Sequence, residues 1–260
     1  MFLQRFRRPA EAPRIGVPIV PSENPASTRG RLEQVVDDLY RQRFPAEVRT
    51  RRDAVWEVLC DFWLSRYVPA DARVLEVGAG YCEFINNIRA AVRIAVDVNP
   101  ETRLHAAPDV TVHEVGAEEL TRVVPAGSCD VAFMSNFLEH CRTRDQVLDV
   151  LRQVRLALRP GGKVLILGPN FSACVRDYFD YFDHYLPLTD RAVVEAVRLA
   201  GLEPVEVRPR TLPFSFRSRL PSWPWLVRLY LRLPLAWGLF GAQFFVVAER
   251  REAVGLRLAA

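Results

Sequence analysis

Lysine is nearly absent from this chain, in which Lys163 is the single example among 35 basic residues. The 31 acidic residues are interspersed with the arginines, and the formal net charge is only +4. Proteins that bind nucleic acids through their phosphates concentrate basic side chains on one face, and this sequence has no such concentration. We therefore expect no nucleic acid among the partners of the protein.

Cysteine pairs and long apolar runs are also missing. The five cysteines form no C-x-x-C pair and have no neighbouring histidine at the spacing of zinc ligands: Cys60, Cys82, Cys129, Cys141 and Cys174. This pattern favours free thiols in a reducing cytoplasm and predicts no metal site.

The lack of any run of about 18 apolar residues argues against a transmembrane helix. Pro9, Glu11 and Pro13 also interrupt the segment that a secretory signal would need to be apolar.

Length and composition predict one large domain with additions. The chain has 260 residues, of which 50% are hydrophobic, and this suffices for one α/β core. Residues 1–30 carry five prolines without periodicity, so we interpret them as a partly disordered N-terminal arm. Residues 31–70 contain two helical patterns, and we expect these helices to cap the ligand site of the main domain. Tyr40, in the first of them, either closes over a bound cofactor or packs between helices. Residues 71–260 make up the main domain.

Strand patterns alternate with helical patterns throughout the first part of this domain. Strands are predicted at 73–77, 92–96, 110–114, 129–134 and 163–167, and helices at 82–90, 144–158 and 189–200. Such alternation is typical of βαβ units, which form a mainly parallel sheet with helices on both faces. Ligands in these sheets bind at the carboxyl ends of the strands.

The segment VLEVGAGYCEF, residues 74–84, predicts a strand, a glycine turn and a helix start. Gly78 and Gly80 allow the backbone to turn sharply and approach a ligand. Dinucleotides, nucleoside triphosphates and S-adenosylmethionine all bind at such turns. A triphosphate loop would need GK[ST], and the third glycine of the dinucleotide pattern is replaced by Glu83. Glu76 and Glu83 would repel a pyrophosphate but not a cationic sulfonium.

Asp97 ends the second predicted strand in AVDVNP, 21 positions after Glu76. A carboxylate at this place can accept hydrogen bonds from both hydroxyls of a ribose, although an aspartate before Asn99 and Pro100 is also typical of a simple turn. Further polar residues follow the next two strands, in VGAEEL and in SCDVAFMSNFLEHC.

Taken together, VLEVGAGYCEF, AVDVNP, AEEL, CDVAFMSNFLEH and LRPGGKVLILGPN resemble the motifs of class I S-adenosylmethionine-dependent methyltransferases in order and spacing. The resemblance implies a Rossmann-like, doubly wound α/β fold, with a seven-stranded, mostly parallel sheet whose last strand is antiparallel. It also implies which residues bind the cofactor: Glu76, Gly78, Ala79, Gly80, Asp97, Val98, Ala117, Glu118 and Asn136. Two positions depart from the family pattern, since Cys82 replaces its third glycine and Gly116 replaces an acidic residue.

The tract from 170 to 188 is rich in aromatic and acidic residues, where this fold usually holds its acceptor. His184 can serve as a general base oriented by Asp183 or Asp180, or it can simply bridge the loop. His140 is a second catalytic candidate.

An apolar insertion at about 211–240 separates the sixth strand from the last. One helical face is predicted to carry its apolar residues Trp223, Trp225, Leu226, Leu229, Tyr230 and Leu233. Such a face suits a lid over the substrate, a homodimer contact or peripheral contact with a membrane. We expect a cytoplasmic methyltransferase that uses S-adenosylmethionine to methylate an oxygen of a small molecule, sugar or lipid-linked glycan. The alternative is a protein that binds the cofactor in a scaffold role or for another reaction.

Overall fold

A computed structural model describes residues 46–214 and 223–252. Its strands are β1 Arg73–Val77, β2 Val92–Asp97, β3 Val110–Glu114, β4 Cys129–Ser135, β5 Leu158–Pro169, β6 Glu203–Arg208 and β7 Gln243–Glu249. They form one seven-stranded sheet in the order β3-β2-β1-β4-β5-β7-β6. Only β7 runs antiparallel to its neighbours, β5 and β6, among the described strands. The predicted fold class is confirmed, whereas the N-terminal arm and Tyr40 lie outside the described residues.

The helices are α1 Ala46–Val58, α2 Glu83–Asn87, α3 Thr102–His105, α4 Arg144–Ala157, α5 Phe171–Cys174, α6 Asp190–Leu199, α7 Pro224–Leu231 and α8 Pro234–Phe240. A π-helical turn, Leu59–Trp63, extends α1. Three 3-10 turns follow strands or loops, at Ala117–Arg122, Leu138–His140 and Tyr178–Asp180.

Helix α2 is shorter than the helix predicted for 82–90. Ile88 already has an extended backbone, with φ −80° and ψ 136°. The guanidinium of Arg93 donates to the main-chain oxygens of Ile85 and Asn86 at 3.0 and 2.9 Å. These bonds satisfy carbonyl groups that the next helical turn would otherwise occupy, and the helix ends there.

The predicted boundaries of α6 agree well with the structure. The Thr189 hydroxyl accepts the Ala192 N–H at 3.2 Å, and Gly201 just beyond the helix has φ +81°. A side-chain cap at the start and a glycine in the left-handed region at the end explain why the sequence identified this helix.

The sheet is covered on both faces by apolar clusters. Helices α4 and α6 pack on one face, with Val150 and Val197 fully buried. The other face is covered by α1, α2 and the two helices of the insertion. There Trp63 packs against Trp237 and Phe245, with ring centroids 5.9 and 4.8 Å away.

The insertion leaves and rejoins the sheet at one point. Thr211 donates its main-chain N–H to Gln243 O at 2.8 Å, and Gln243 returns a bond to Leu212 O at 3.0 Å. Between these stems α7 and α8 are separate helices, because Pro234 cannot continue the hydrogen-bond ladder of α7.

Leu233 lies beyond the end of α7, so it does not share a helical face with Trp225 and Leu229 as predicted. Trp223 and Trp225 are 56% and 60% exposed, whereas Leu231 and Trp237 are buried. Side chains on one face of a helix are three or four residues apart. The apolar side chains of the insertion do not all follow this spacing, and they divide between the core and the outer surface. Within the described residues, no helix combines the length and apolar character required to cross a membrane.

Candidate functional site

The glycine turn after β1 is shaped by three residues with left-handed backbone conformations. Gly78, Gly80 and Cys82 have φ values of +70°, +49° and +61°. At Gly78, an added Cβ would lie 2.3 Å from Cδ2 of Phe137. Gly78 is therefore required both for its conformation and for space, as the glycine motif predicted.

Cys82 stands where the family pattern has its third glycine, and it adopts the backbone conformation that a glycine would take. Its side chain is fully buried, with Sγ 3.6 Å from Thr102 O. Burial, with the nearby carboxylates of Glu76 and Asp97, raises the pKa of the thiol to about 12. This cysteine is therefore a structural replacement for glycine and not a nucleophile at neutral pH.

Glu76, at the end of β1, is buried behind the glycine turn. Its Oε2 accepts the N–H of Ile85 at 3.0 Å and so connects the strand to the first turn of α2. Burial raises the pKa of this carboxyl well above its usual range, and the neighbouring Glu83 and Asp97 carboxylates raise it further. Glu76 thus positions the turn and presents a carboxyl at the wall of the cavity.

Glu83 forms a bidentate ion pair with Arg52, which reaches over from α1. The two guanidinium–carboxylate distances are 2.5 and 2.8 Å. Glu83 was predicted to repel a pyrophosphate as a free carboxylate, but the structure pairs its charge with that of Arg52. The ion pair instead connects α1 to the glycine turn.

Replacing Arg52 with alanine should lower the free energy of unfolding by about 2 kcal/mol, because it leaves a largely buried carboxylate without its partner. Urea denaturation of Arg52→Ala and of the double variant Arg52→Ala/Glu83→Gln measures this. The double variant should regain about half of the loss, since it carries no unpaired charge. Equal losses in both variants would show that the charge of Glu83 does not matter.

Asp97 ends β2 beside the glycine turn. Its two carboxylate oxygens accept the N–H groups of Gly80 at 2.7 Å and Asn99 at 2.8 Å. Val98 follows it and is exposed. Asp97 therefore contacts the glycine turn directly. Its carboxylate connects that turn with the loop after β2, at the carboxyl edge of the sheet.

Ala117 and Glu118 begin the 3-10 turn after β3, on the same edge of the sheet. Ala117 is buried, while Glu118 is exposed and accepts the side-chain amide of Gln146 at 2.5 Å. Gly116, where the family pattern has an acidic residue, precedes the turn with an extended backbone. Ala117 and Glu118, two of the residues predicted to bind the cofactor, thus lie on the same edge of the sheet as the glycine turn but do not line the cavity described next.

A cavity of about 430 Å³ opens beside the glycine turn. One wall consists of the turn itself with Glu76, Gly78, Ala79 and Gly80, and Arg52 and Trp56 of α1 face it. The insertion supplies an apolar wall, made of Leu212, Pro213, Phe214, Leu226, Val227, Leu229, Tyr230, Leu233, Ala236 and Phe240. The cavity therefore continues from the glycine turn to a surface suited to an apolar ligand.

The carboxyl ends of β4 and β5 contribute the polar part of the cavity. Asn136, at φ +48°, follows β4, and Glu139 and His140 lie in the next turn. His184 comes from the loop after Tyr178–Asp180, and all four side chains line the cavity. The structure thus brings together both predicted catalytic histidines, whose ring centroids are 5.2 Å apart.

Asp183 was expected to orient His184. The structure places its carboxylate 3.4 Å from Nδ1 of His140, and its main-chain oxygen lies 2.9 Å from the same nitrogen. The ring of His184 stacks on Tyr181, with centroids 4.9 Å apart. Asp183 is therefore in position to fix the ring of His140, the second candidate.

Residues 48–227 match the protein family described as a methyltransferase domain, which is more than half of the chain. The chain belongs to this family. The predicted likeness to class I S-adenosylmethionine-dependent methyltransferases is thereby confirmed. No curated protein matches this methyltransferase in sequence.

Solved structures with the same fold are distant in sequence. A SAM-dependent methyltransferase from Archaeoglobus fulgidus is 17% identical, with a TM-score of 0.59 over 81% of this chain and 98% of that one. A possible histamine N-methyltransferase from Thermotoga maritima is also 17% identical, with a TM-score of 0.57 over 84% and 97%. The [4+2]-cyclase SpnF is 16% identical, with a TM-score of 0.54 over 76% and 81%. These likenesses establish the fold of this methyltransferase but not its acceptor.

Arg52 and Glu139 line the cavity but were not among the predicted site residues. Arg52 lies in a helical pattern well before the glycine turn, and no local motif connects it with Glu83. Glu139 stands in the LEH segment next to His140, and only its burial distinguishes it from a surface acid.

Proposed function

We propose that this protein is an S-adenosylmethionine-dependent methyltransferase that methylates an oxygen atom of a small molecule with a substantial apolar part. The observation that carries the proposal is the single cavity that joins the glycine turn, two histidines and the apolar wall of the insertion. A lipid-linked glycan also has this combination of hydroxyl and apolar groups, whereas a free sugar lacks the apolar part.

The residues after β1, β2 and β3 fit the cofactor. Gly78 and Gly80 present backbone without side chains, and Glu76 supplies a carboxyl group compatible with the methionine end. In this proposal Asp97 accepts the ribose hydroxyls, and the turn at Ala117 borders the adenine. Bound S-adenosylmethionine supplies an electrophilic methyl group on a sulfonium.

The protein's own contribution is mainly positioning. The apolar wall excludes water and aligns the acceptor beside the glycine turn, and alignment of this kind can supply roughly 7 to 11 kcal/mol of a barrier. His184 or His140 can accept the hydroxyl proton, since both line the cavity.

The outer surface of the insertion supports a further part of the proposal. Trp223, Trp225, Leu235 and Leu239 are exposed apolar side chains on the segment that lines the cavity. Such a surface suits peripheral contact with a membrane or contact with a second copy of the chain. The proposal includes no nucleic acid partner. Co-sedimentation with phospholipid vesicles, compared with size-exclusion chromatography, distinguishes the two.

Incubation of the purified full chain with methyl-labelled S-adenosylmethionine and a cell extract should transfer label into the fraction soluble in organic solvent. Asp97→Ala, treated identically, should transfer none. Label found only in the aqueous fraction would contradict the apolar acceptor. Tight cofactor binding in calorimetry without transfer to either fraction would favour the alternative, a cofactor-binding protein with another role.

A further inference from the structure

Three potential metal ligands meet at the polar end of the cavity. Glu139, His140 and His184 each offer one ligand atom, and these atoms all lie within 4.8 Å of one another. All three side chains line the cavity next to Asn136. They come from two segments more than forty residues apart, which is why the sequence, searched for closely spaced ligands, predicted no metal site.

Main-chain hydrogen bonds hold the two segments in place. The carbonyl oxygen of Glu139 accepts the N–H groups of Tyr185 at 2.8 Å and Leu186 at 3.2 Å. The residue that supplies the carboxylate is thus fastened to the chain directly after His184. A site whose ligands are fixed in this way before binding loses little conformational freedom when a cation arrives.

The carboxylate of Glu139 is buried without adequate compensation. The residue is only 2% exposed, and its Oε1 has no hydrogen-bond partner among the described residues. A buried carboxylate oxygen without a donor is costly, because it has lost its water and gained no replacement. A cation among Glu139, His140 and His184 would supply the missing interaction.

His140 has the environment typical of a metal-binding histidine. Its Nδ1 lies 2.9 Å from the main-chain oxygen of Asp183, so this nitrogen carries the proton and donates it. The lone pair is then on Nε2, the nitrogen available to a cation. The Asp183 carboxylate, 3.4 Å from Nδ1, helps to hold the ring in this orientation.

We propose that Glu139, His140 and His184 bind a divalent transition metal ion. Two imidazoles and one carboxylate suit Zn²⁺, Mn²⁺, Fe²⁺ or Co²⁺ better than Mg²⁺ or Ca²⁺, which prefer oxygen ligands. Three protein ligands leave coordination positions open toward the cavity. Metal binding itself is independent of the proposed function. The role of the ion rests on that function: with both histidines bound to the metal, neither accepts the hydroxyl proton, and the ion would instead bind the acceptor hydroxyl oxygen while its proton passes to water.

Titration with Co²⁺ tests the site directly. The untagged full chain is dialysed against a chelator, returned to buffer and titrated with CoCl₂ while the visible d–d absorption is recorded. We expect saturation at one ion per chain. His140→Gln and His184→Gln should each weaken binding at least about 10-fold, while His113→Gln, a histidine of β3 away from the cavity, should leave it unchanged.

Glu139→Gln removes the proposed carboxylate ligand and should also weaken Co²⁺ binding. Circular dichroism verifies that each variant is folded. Absence of saturable Co²⁺ absorption, or binding unaffected by both histidine changes, overturns the site. Calorimetry of S-adenosylmethionine in the presence of chelator keeps the two proposals apart. Cofactor binding and methyl transfer without Co²⁺ binding refute only the metal site, whereas Co²⁺ binding without methyl transfer refutes only the proposed function.

Discussion

Replacing Asp97 with alanine should weaken S-adenosylmethionine binding by about 100-fold or more. The carboxylate already accepts the N–H groups of Gly80 and Asn99, at 2.7 and 2.8 Å, and its proposed role adds the ribose hydroxyls. Hydrogen bonds to a charged group contribute about 1.5–3 kcal/mol each, and the lower end of this range, about 3 kcal/mol for two bonds, corresponds to about 100-fold in affinity. Isothermal titration calorimetry measures the change.

Asp71→Ala is the matched control, because Asp71 is an exposed aspartate away from the cavity. It should bind the cofactor like the unchanged protein. Asp97→Asn should be intermediate, since an amide keeps one acceptor but turns a donor toward one of the two N–H groups. Normal affinity in Asp97→Ala would show that the ribose assignment is wrong.

Replacing Gly78 with alanine should lower the free energy of unfolding by roughly 2–5 kcal/mol and abolish measurable cofactor binding. The left-handed backbone at φ +70° costs an alanine roughly 1–2 kcal/mol. The new Cβ would also lie 2.3 Å from Phe137, and overpacking of this kind typically costs roughly 1–3 kcal/mol. Urea denaturation and calorimetry measure the two effects.

Gly127 separates the two causes. It has φ +69°, but no atom lies within 4 Å of an added Cβ. Gly127→Ala should therefore show only the backbone cost, roughly 1–2 kcal/mol, with normal cofactor binding. Equal losses at Gly78 and Gly127 would mean that the contact with Phe137 has no energetic weight.

The sequence predicted the features that depend on neighbours along the chain. The strands alternate with helices, Thr189 caps α6, and Gly78 lies at a turn, each for a local reason that the residue types reveal. The order of the motifs then identified the family, and with it the edge of the sheet that holds the residues proposed to bind the cofactor.

Features that depend on distant contacts were missed or misjudged. The Arg52–Glu83 pair joins two elements 31 residues apart, and its effect on the charge of the turn is invisible before folding. The division of the insertion between core and surface accompanies its break into two helices, the second of which begins at Pro234. The meeting of Glu139 with His184 requires the loop that follows β5 to fold back on the end of β4.

The paired stems of the insertion, closed by the bonds of Thr211 and Gln243, have a consequence for protein engineering. A segment that departs and returns at one point can be lengthened, shortened or exchanged without altering the register of β6 and β7. The apolar wall of the cavity belongs to this segment, while the residues proposed to hold the cofactor belong to the sheet edge. Exchange of the segment should therefore reshape the apolar wall and leave the proposed cofactor residues in place.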